Sequence, residues 1–266
     1  MVDGMRTITL LTDFGMNNGY VAQMKGVITG VSDARIIDVS HEVTSHAVRE
    51  AAFILQTIVP YYPVGTVHVV VVDPGVGTDR RGIIVATRSH MLVGPDNGVL
   101  IPAARFLGDF VVYEITNKEY MLKEISNTFQ GRDVFASIAA YITRGVAFET
   151  IGKQITDYVD LNFGHAEFTE NAVTGKVIFV DRFGNIITNI PGVMLKEMIL
   201  YGTQVMVSVG NHSQLMPFVK SYGFVGKNQI LATIGSSHYL EISVNQGNAA
   251  QMLSVKEDDE VKLLFG

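Results

Sequence analysis

Apolar positions in the first half of the chain alternate between two periods, one typical of buried strands and one typical of helices lying on a sheet. Within segments 20–30 and 47–59, apolar residues recur three and four positions apart, as a helix packed on a sheet requires. The same spacing returns at 134–142 and stops at Gly145. The strand-like runs between these segments are residues 8–12, 36–39, 67–72, 83–86 and 110–113. This alternation predicts an α/β fold with a mainly parallel sheet and flanking helices.

The pattern changes after about residue 171, where strand-like runs are separated by Gly, Asn and Ser. These runs are residues 173–180, 205–209, 229–234, 239–244 and 260–264. They predict a smaller and mostly β second domain. We therefore expect an N-terminal α/β domain over residues 1–160 and a C-terminal β domain over residues 171–266, with the linker in the polar stretch 151–170.

Composition excludes several classes of protein. Of the 266 residues, 47% are hydrophobic and 17% are charged, which excludes a disordered chain. The mean hydropathy is +0.26, yet no apolar run approaches the ~18 residues that span a bilayer. We therefore expect the excess apolar surface to be covered by other subunits.

Charge and cysteine content exclude further kinds of partner and site. A net charge of −6, with Arg80-Arg81 as the densest basic pair, argues against nucleic acid as a partner. The chain has no cysteine, so disulfides, thiolate zinc sites and a cysteine nucleophile are excluded. Asp3 and Arg6 precede a short strand rather than a long apolar segment, so we expect no signal peptide and a cytoplasmic enzyme.

The strongest candidate for chemistry follows the valine-rich run at 67–72. Asp73 stands at the carboxyl end of this predicted strand, which is where ligand crevices form in open α/β sheets. Arg80 and Arg81 follow within one short glycine-containing loop. An arginine beside the carboxylate would keep it ionised and oriented. The alternative is that the Asp–Arg pair only stabilises the loop.

Other motifs are open to two interpretations. Asp13 follows the first strand and suits a sugar diol, but it is equally suited to cap a helix. Residues 94–98, Gly-Pro-Asp-Asn-Gly, predict a turn first. Asn185 also lies in a predicted turn, and its amide offers a donor and an acceptor to an adenine edge.

A helix start is predicted near Gln130, where exposed amides and the helix dipole favour anions and polar ligands. His41 and His46 share a loop, but no neighbouring carboxylates give the spacing of a metal site. The glycine-rich signatures of nucleoside triphosphate and NAD sites do not occur. We therefore expect no metal and no cofactor.

The ordered motifs span nearly the whole chain and resemble those of the S-adenosylmethionine hydrolase (hydroxide adenosyltransferase) family. They are TDFG, DPGVGTDRR, GPDNG, TFQGRDVF, DRFGNIITNI and GSSHYLEISVNQGNAA. The same superfamily includes the S-adenosylmethionine-dependent fluorinase and chlorinase. The resemblance implies a C-terminal domain like a β-barrel and a homotrimer whose active sites are shared between subunits. It also implies a small nucleoside substrate, with no nucleic-acid or membrane partner.

In hydrolases of this family an Asp, an Arg and a His hold the water or hydroxide that attacks C5′ of the substrate. The resemblance assigns the first two roles to Asp73 and Arg80. Gln130 stands in the place of the His. A glutamine can donate and accept hydrogen bonds, but it cannot take up the proton of the water.

The resemblance also implies roles in substrate binding. Asp13 would bind the ribose hydroxyls and Asn185 the adenosine part. His46 aligns with an aromatic residue that stacks on the substrate. The remaining positions would bind the methionine end or, through the backbone, the adenine: Ser236, Ser237, Glu241 and Ala249.

Three functions follow from these motifs. The leading hypothesis is hydrolysis of S-adenosyl-L-methionine to adenosine and L-methionine. A binding protein weakened in catalysis by Gln130 is the second, and a halogenase is the third. Halogenating relatives lack the Asp and Arg of the hydrolase set, so Asp73 favours attack by oxygen, because a carboxylate repels a halide.

Overall fold

A computed structural model describes residues 6–210 and 212–265. The chain divides into two compact units, one ending at Asn162 and the other beginning at Phe163. Within the described residues, no helix is both long and apolar enough to cross a membrane.

The first unit is a sheet with helices packed against it. Its strands are β1 (Thr7–Thr12), β2 (Arg35–Ser40), β3 (Val67–Val71), β4 (Gly82–Thr87), β5 (Met91–Pro95), β6 (Phe110–Ile115) and β7 (Gly152–Ile155). Its helices are α1 (Tyr20–Val31), α2 (Val48–Ile58), α3 (Ile101–Leu107), α4 (Ser137–Thr143) and α5 (Phe148–Ile151). A π-helical turn, Gly131–Ala136, leads directly into α4.

The strand order is β2-β1-β3-β5-β4-β6-β7. The strands β2, β1, β3 and β5 run parallel, and β4, β6 and β7 continue the sheet in antiparallel pairs. Every residue of the valine-rich β3 is buried, as expected of a central strand covered on both faces. The predicted α/β class is therefore confirmed.

The sequence pattern left α5, β7, β5 and α3 of this unit without assignment, and the last two are the more informative. Gly94 and Pro95 do not begin a turn but end strand β5, and the turn starts only at Asp96. Residues 101–107, for which we had no assignment, form α3. Both elements lie in the buried centre of the unit, since Ile101, Leu92 and Val93 are fully inaccessible to solvent.

The second unit is an antiparallel sheet that curls back on itself. Its strands are β8 (Glu167–Phe168), β9 (Ala172–Val180), β10 (Ile186–Pro191), β11 (Gln204–Val209), β12 (His212–Pro217), β13 (Ile230–Ile234), β14 (Tyr239–Val244) and β15 (Glu260–Leu264). Two short helices accompany them, α6 (Gly192–Met198) and α7 (Ala249–Leu253). The main path is β12-β11-β15-β9-β10-β14-β13, with β8 beside β9. A bridge between Phe218 and Ala232 links the two ends of this path, so the sheet is nearly closed, and the expected barrel-like form is confirmed.

Candidate active site

Asp73 lies at the carboxyl edge of the first unit's sheet, directly after the buried β3 and Val72. Asn97 fixes the backbone immediately before Asp73, because its side-chain amide donates to the carbonyl of Val72 at 2.9 Å. The loop that follows closes against a second loop at Gly77, where φ is +80° and a Cβ would overlap the carbonyl of Asn127. Only glycine combines this conformation with this approach. The loop at 73–81 is thereby brought against the segment that precedes Gln130.

Arg80 binds Asp73 through two nearly parallel hydrogen bonds. Its Nε donates to Oδ1 at 3.2 Å and one terminal nitrogen donates to Oδ2 at 2.6 Å. The same terminal nitrogen donates to Oε1 of Gln130 at 2.6 Å, and the other donates to the carbonyl of Arg81 at 2.8 Å. The guanidinium also lies 5.4 Å from the ring centre of Phe135. Arg80 therefore joins two predicted catalytic residues in one rigid arrangement.

Arg81 does not share this site, although it is adjacent in sequence. Its guanidinium donates to Oδ2 of Asp96 at 2.7 Å and 3.0 Å, and to Oδ1 of Asp157 at 3.1 Å. Asp96 in turn accepts the backbone N–H of Val159 at 2.8 Å. Arg81 thus stabilises residues 157–159 near the end of the first unit, whereas Asp73 is bound by Arg80.

The pKa of the Asp73 carboxyl is raised above its ordinary value. Burial is the largest cause, because it disfavours the charged form. The charge and hydrogen bonds of Arg80 act in the opposite direction, while the carboxylate of Asp13 adds to the increase. Asp73 is therefore both firmly oriented and a better proton acceptor than an exposed aspartate.

A pocket of about 290 Å³ opens in front of these residues. It brings together four of the predicted site residues of this unit, namely Asp13, His46, Asp73 and Gln130. Arg80 reaches the site through its contacts with the last two. Asp13 lies on the turn after β1, and its Oδ2 accepts the backbone N–H of His46 at 2.9 Å.

Three aromatic residues that the sequence analysis did not single out form one wall of the pocket. Phe14, Tyr20 and Phe129 pack edge to face, with ring centres 5.0 to 5.8 Å apart. Gly131 lies against them, because a Cβ there would approach the ring of Phe14 to 3.3 Å. Phe14 and Phe129 adjoin Asp13 and Gln130 in sequence, and this adjacency was the available signal. Such a wall suits the flat faces and the apolar edge of a nucleoside.

In the second unit, Asn185 follows a tight turn that begins at Asp181. Its amide nitrogen donates to Oδ2 of Asp181 at 2.8 Å, so one of its donors is already engaged. Oδ1 of Asp181 accepts the backbone N–H groups of Phe183 and Asn185, both at 2.9 Å. The carbonyl of Gly184 accepts the N–H of Ala250 at 2.9 Å, which places Asn185 beside the start of α7 and the buried Ala249. The structure therefore brings Asn185 and Ala249 together.

The predicted residues for the methionine end lie on or beside the turn between β13 and β14. Ser236 and Ser237 form this turn, and Glu241 lies on β14. Glu241 is buried, and its Oε1 accepts hydrogen bonds from Tyr222 at 2.7 Å and from Ser243 at 2.8 Å. Burial and this carboxylate raise the pKa of Tyr222. Tyr222 was not predicted, and no sequence pattern pointed to it.

Among residues 6–210 and 212–265, no group of three or more His, Asp or Glu side chains could hold a metal ion. The carboxylates of Asp13, Asp73 and Glu241 are instead bound by a backbone N–H group, by arginine and by hydroxyl groups.

Comparison with known proteins places this arrangement in a family. The SAM hydroxide adenosyltransferase N-terminal domain matches residues 8–152, and the C-terminal domain of the same family matches residues 175–262. A protein from Methanocaldococcus jannaschii named (R)-S-adenosyl-L-methionine hydrolase is 37% identical, over 99% of this chain and 97% of that protein. A fluorinase from Nocardia brasiliensis is more distant, at 24% identity over 97% of each chain.

A solved structure has the same fold. The crystal structure of an uncharacterized conserved protein from Thermotoga maritima is similar with a TM-score of 0.91 and 39% sequence identity. The similarity covers 97% of this chain and 99% of that one. The chain therefore belongs to the SAM hydroxide adenosyltransferase family.

Proposed function

We propose that this protein hydrolyses S-adenosyl-L-methionine to adenosine and L-methionine. The observation that carries the proposal is the joint fixing of Asp73 and Gln130 by Arg80 at the pocket that also contains Asp13. Relatives that are named for this hydrolysis and match nearly the full chain support it.

In the proposed reaction, a water oxygen attacks C5′ of the ribose while the bond between C5′ and the sulfonium sulfur breaks. Both electrons of that bond go to sulfur, so methionine leaves as a neutral thioether. The attacking water loses one proton, and Asp73 is placed to receive it. Because the leaving group is already good, orienting the water and shielding it from solvent are the main requirements.

Gln130 would orient the water rather than deprotonate it. Its Oε1 is occupied by Arg80, which leaves the amide N–H groups to donate to the water oxygen. The Gln130 amide as donor and the Asp73 carboxylate as acceptor would together fix both the position and the rotation of one water molecule. Asp73 is then the proton acceptor of the pair.

The same carboxylate is the reason to prefer water over a halide. A halide in front of Asp73 would meet a negative charge within a partly buried site, and like charges repel more strongly there than in water. Arg80 weakens this repulsion through its charge, but the hydrogen bonds of its guanidinium already go to Asp73, Gln130 and a backbone carbonyl.

The configuration at sulfur is part of the proposal. The relatives that support this function are named (R)-S-adenosyl-L-methionine hydrolase, and we infer that this protein prefers the (R) epimer. A mixture of the two epimers should therefore be consumed in two phases or only in part. The remaining epimer is identified by chiral separation.

We also propose a homotrimer, as the family resemblance implies. Exposed apolar side chains in the second unit support association with other copies. On and just after α6, Val193 is 65% exposed and Leu200 is 81% exposed. Exposed apolar side chains that lie close together in this way are uncommon on a monomer and mark sites of association.

The decisive experiment is turnover in ¹⁸O-labelled water. Purified protein is incubated with S-adenosyl-L-methionine, and the nucleoside is analysed by mass spectrometry. The proposal predicts adenosine with one ¹⁸O at its 5′ position and an equal amount of unlabelled methionine. Methylthioadenosine as the product, or label in methionine instead of adenosine, would contradict it.

Two controls make the result specific. The variant Asp73→Asn keeps the shape of the side chain but removes its negative charge and its capacity as a base, so adenosine formation should nearly stop. A parallel reaction with added chloride tests the halogenase alternative, for which 5′-chloro-5′-deoxyadenosine would be the product.

A further inference from the structure

A buried Thr–His pair lies directly beneath the turn that carries Asp13. Thr12, the last residue of β1, is fully buried, and its hydroxyl lies 2.9 Å from Nδ1 of His41, which is 3% exposed. The Thr12 oxygen also accepts the backbone N–H of Phe14 at 3.2 Å. A hydroxyl that accepts from one group is free to donate to another. The geometry therefore fits a Thr12 hydroxyl that donates to Nδ1 of His41.

The loop of His41 and the turn of Asp13 are joined at three further points. The N–H of Gly15 donates to the carbonyl of His41 at 2.7 Å, and the N–H of Val43 donates to the carbonyl of Thr12 at 3.4 Å. The N–H of His46 donates to Oδ2 of Asp13. His46 and Gly15 both have a φ of +67°, a left-handed conformation that a non-glycine residue rarely adopts. The turn is thus held by its partner loop at both ends and at the carboxylate itself.

A carboxylate and a lysine lie behind the His41 ring. Its Nε2 lies 3.1 Å from Oδ1 of Asp38, and Lys25 lies 2.5 Å from Oδ2 of the same carboxylate. Asp38 stands where the pairing of β1 with β2 shifts, between Leu10 and Leu11. A bulge of this kind redirects side chains near functional sites. Here it lets the chain deliver the His41 ring under the end of β1.

We propose that His41, acting through Thr12, is a positioning residue that holds the Asp13 carboxylate in the geometry for binding both ribose hydroxyls. The inference rests on the proposed function, in which Asp13 is the ribose-binding group. One carboxylate oxygen is already restrained by the His46 N–H, so the orientation of the whole turn decides where the other oxygen points. A diol needs that orientation to be exact to a few tenths of an ångström, because both hydroxyls must reach one carboxylate.

The chain contains a matched control for this pair. Thr9, on the same strand, is also buried, and its hydroxyl lies 2.8 Å from Nδ1 of the buried His68. Neither residue lines the pocket. Thr9→Val and Thr12→Val therefore remove the same kind of hydrogen bond from the same strand. Only the hydrogen bond of Thr12 lies under the turn that carries Asp13.

The first measurement is steady-state hydrolysis of S-adenosyl-L-methionine. Thr12→Val should raise KM about tenfold, the effect of one lost hydrogen bond, with kcat changed less than about twofold because attack at C5′ depends on Asp73. Thr12→Ser, which keeps the hydroxyl, should restore KM, and Thr9→Val should leave it unchanged. His41→Phe removes the ring nitrogens and gives a second, independent loss of the same contact.

The second measurement identifies the ribose as the group affected. Calorimetry compares binding of adenosine, 2′-deoxyadenosine and 3′-deoxyadenosine by the wild type and by Thr12→Val. The variant should lose about tenfold in affinity for adenosine and little for the deoxynucleosides. An equal loss for all three ligands, or equal effects of Thr9→Val and Thr12→Val, would overturn the inference.

The two proposals fail in different ways. If the wild type binds adenosine but does not hydrolyse S-adenosyl-L-methionine, the proposed function is wrong and the binding comparison still decides the role of His41. If the wild type hydrolyses the substrate and Thr12→Val is unaffected, the function stands and the positioning role is wrong. If the wild type neither binds adenosine nor turns over, both are wrong.

Discussion

Asp73 is subject to two opposing influences, since burial favours its neutral form and Arg80 favours its charged form. Burial is the larger, and the pKa is raised. A raised pKa means that the group binds its proton at a higher pH than an exposed aspartate does. The charged form, which the proposed reaction requires, is lost when the pH falls through that raised pKa.

The activity should therefore have an acid limb above the ordinary Asp value of 3.8. Asp73→Asn should lower kcat/KM by about 10²–10⁴, the range for a positioned acid–base group, and should abolish that limb. The measurement is kcat/KM against pH for both proteins. Residual activity of Asp73→Asn with an unchanged acid limb would assign the titration to another group.

Gln130 is the one departure from the catalytic set of the family. Gln130→His should raise the single-turnover rate above neutral pH, because the one unprotonated nitrogen of a neutral imidazole can take a proton from water, although it then no longer accepts the hydrogen bond from Arg80. Protonation of the ring removes its acceptor nitrogen, so the gain should disappear toward acid pH, and the nearby guanidinium shifts that loss to lower pH because it opposes the protonation. Rates for both proteins between about pH 6 and pH 9 test this.

The opposite outcome has a clear meaning. If Gln130→His is slower at every pH and shows no new titration, the loop has adapted to glutamine and a histidine misplaces the water. Adenosine affinity, measured on both proteins, serves as the control for an intact pocket.

His68 shows what burial does to a histidine without an acidic partner. Its pKa is lowered to about 3, first by burial and second by the adjacent His90. The unfolded chain takes up the proton near pH 6.5, and the folded chain does so only near its lowered pKa. Stability from this residue is thus present above about pH 6.5 and is lost as the pH falls toward 3.

His68→Gln should weaken this pH dependence. The wild type should lose on the order of 5 kcal/mol through this residue across the full range, and the variant should lose correspondingly less. Urea unfolding at pH 7, 5 and 4 measures the difference between the two proteins, in which the shared titration of carboxylates cancels. Parallel stability profiles would show that His68 does not contribute.

At the level of elements, strand β5 shows where the sequence pattern was insufficient. Gly94 and Pro95 have low strand propensity, and their dipeptide is a turn signal. Gly94 is nevertheless in the strand because a Cβ there would overlap the carbonyl of Val70 on the neighbouring β3. This requirement comes from the partner strand, so it cannot be read from a local pattern.

The close approach of Gly94 to the Val70 carbonyl predicts that alanine substitutions at two glycines change the stability in opposite directions. Gly94→Ala should destabilise the protein by about 1–3 kcal/mol, because the added methyl group has no room. Gly26→Ala is the control: Gly26 lies inside α1 with no atom within 4 Å of an added Cβ, so it should stabilise by about 0.5–1 kcal/mol. Chemical denaturation of both variants gives the two signs, and equal signs would contradict the argument.

The elements that the sequence did predict share a physical basis. The valine-rich β3 and the amphipathic α1 and α2 have periodic patterns set by their own burial, so local reading succeeds. The Asp73–Arg80 pair was likewise predictable, since both residues belong to one short loop. The engagement of Arg81 with Asp157, 76 positions away, depends on tertiary packing and was not.

At the scale of the whole molecule, we expect a mass in light scattering near three times 29.1 kDa. Leu200→Lys should lower this mass, because a charge at an 81% exposed apolar position would become buried in an interface. The matched control is Val64→Lys, at a position 79% exposed in the first unit, which should assemble normally. A fully active wild-type monomer would contradict the trimer.

The π-helical turn before α4 has a consequence for how this chain can tolerate length changes. A π-turn holds one residue more than an α-helical turn of the same rise, and such turns are commonly found at functional sites. Removing one residue from Gly131–Ala136 would let the helix close into regular α geometry. The side chains of the shortened turn would then be spaced by about 100° rather than by the smaller angle of a π-turn. Gln130 would then lose its hydrogen bond to Arg80 although its residue type is unchanged. A single-codon deletion here is therefore expected to lower activity more than most substitutions do.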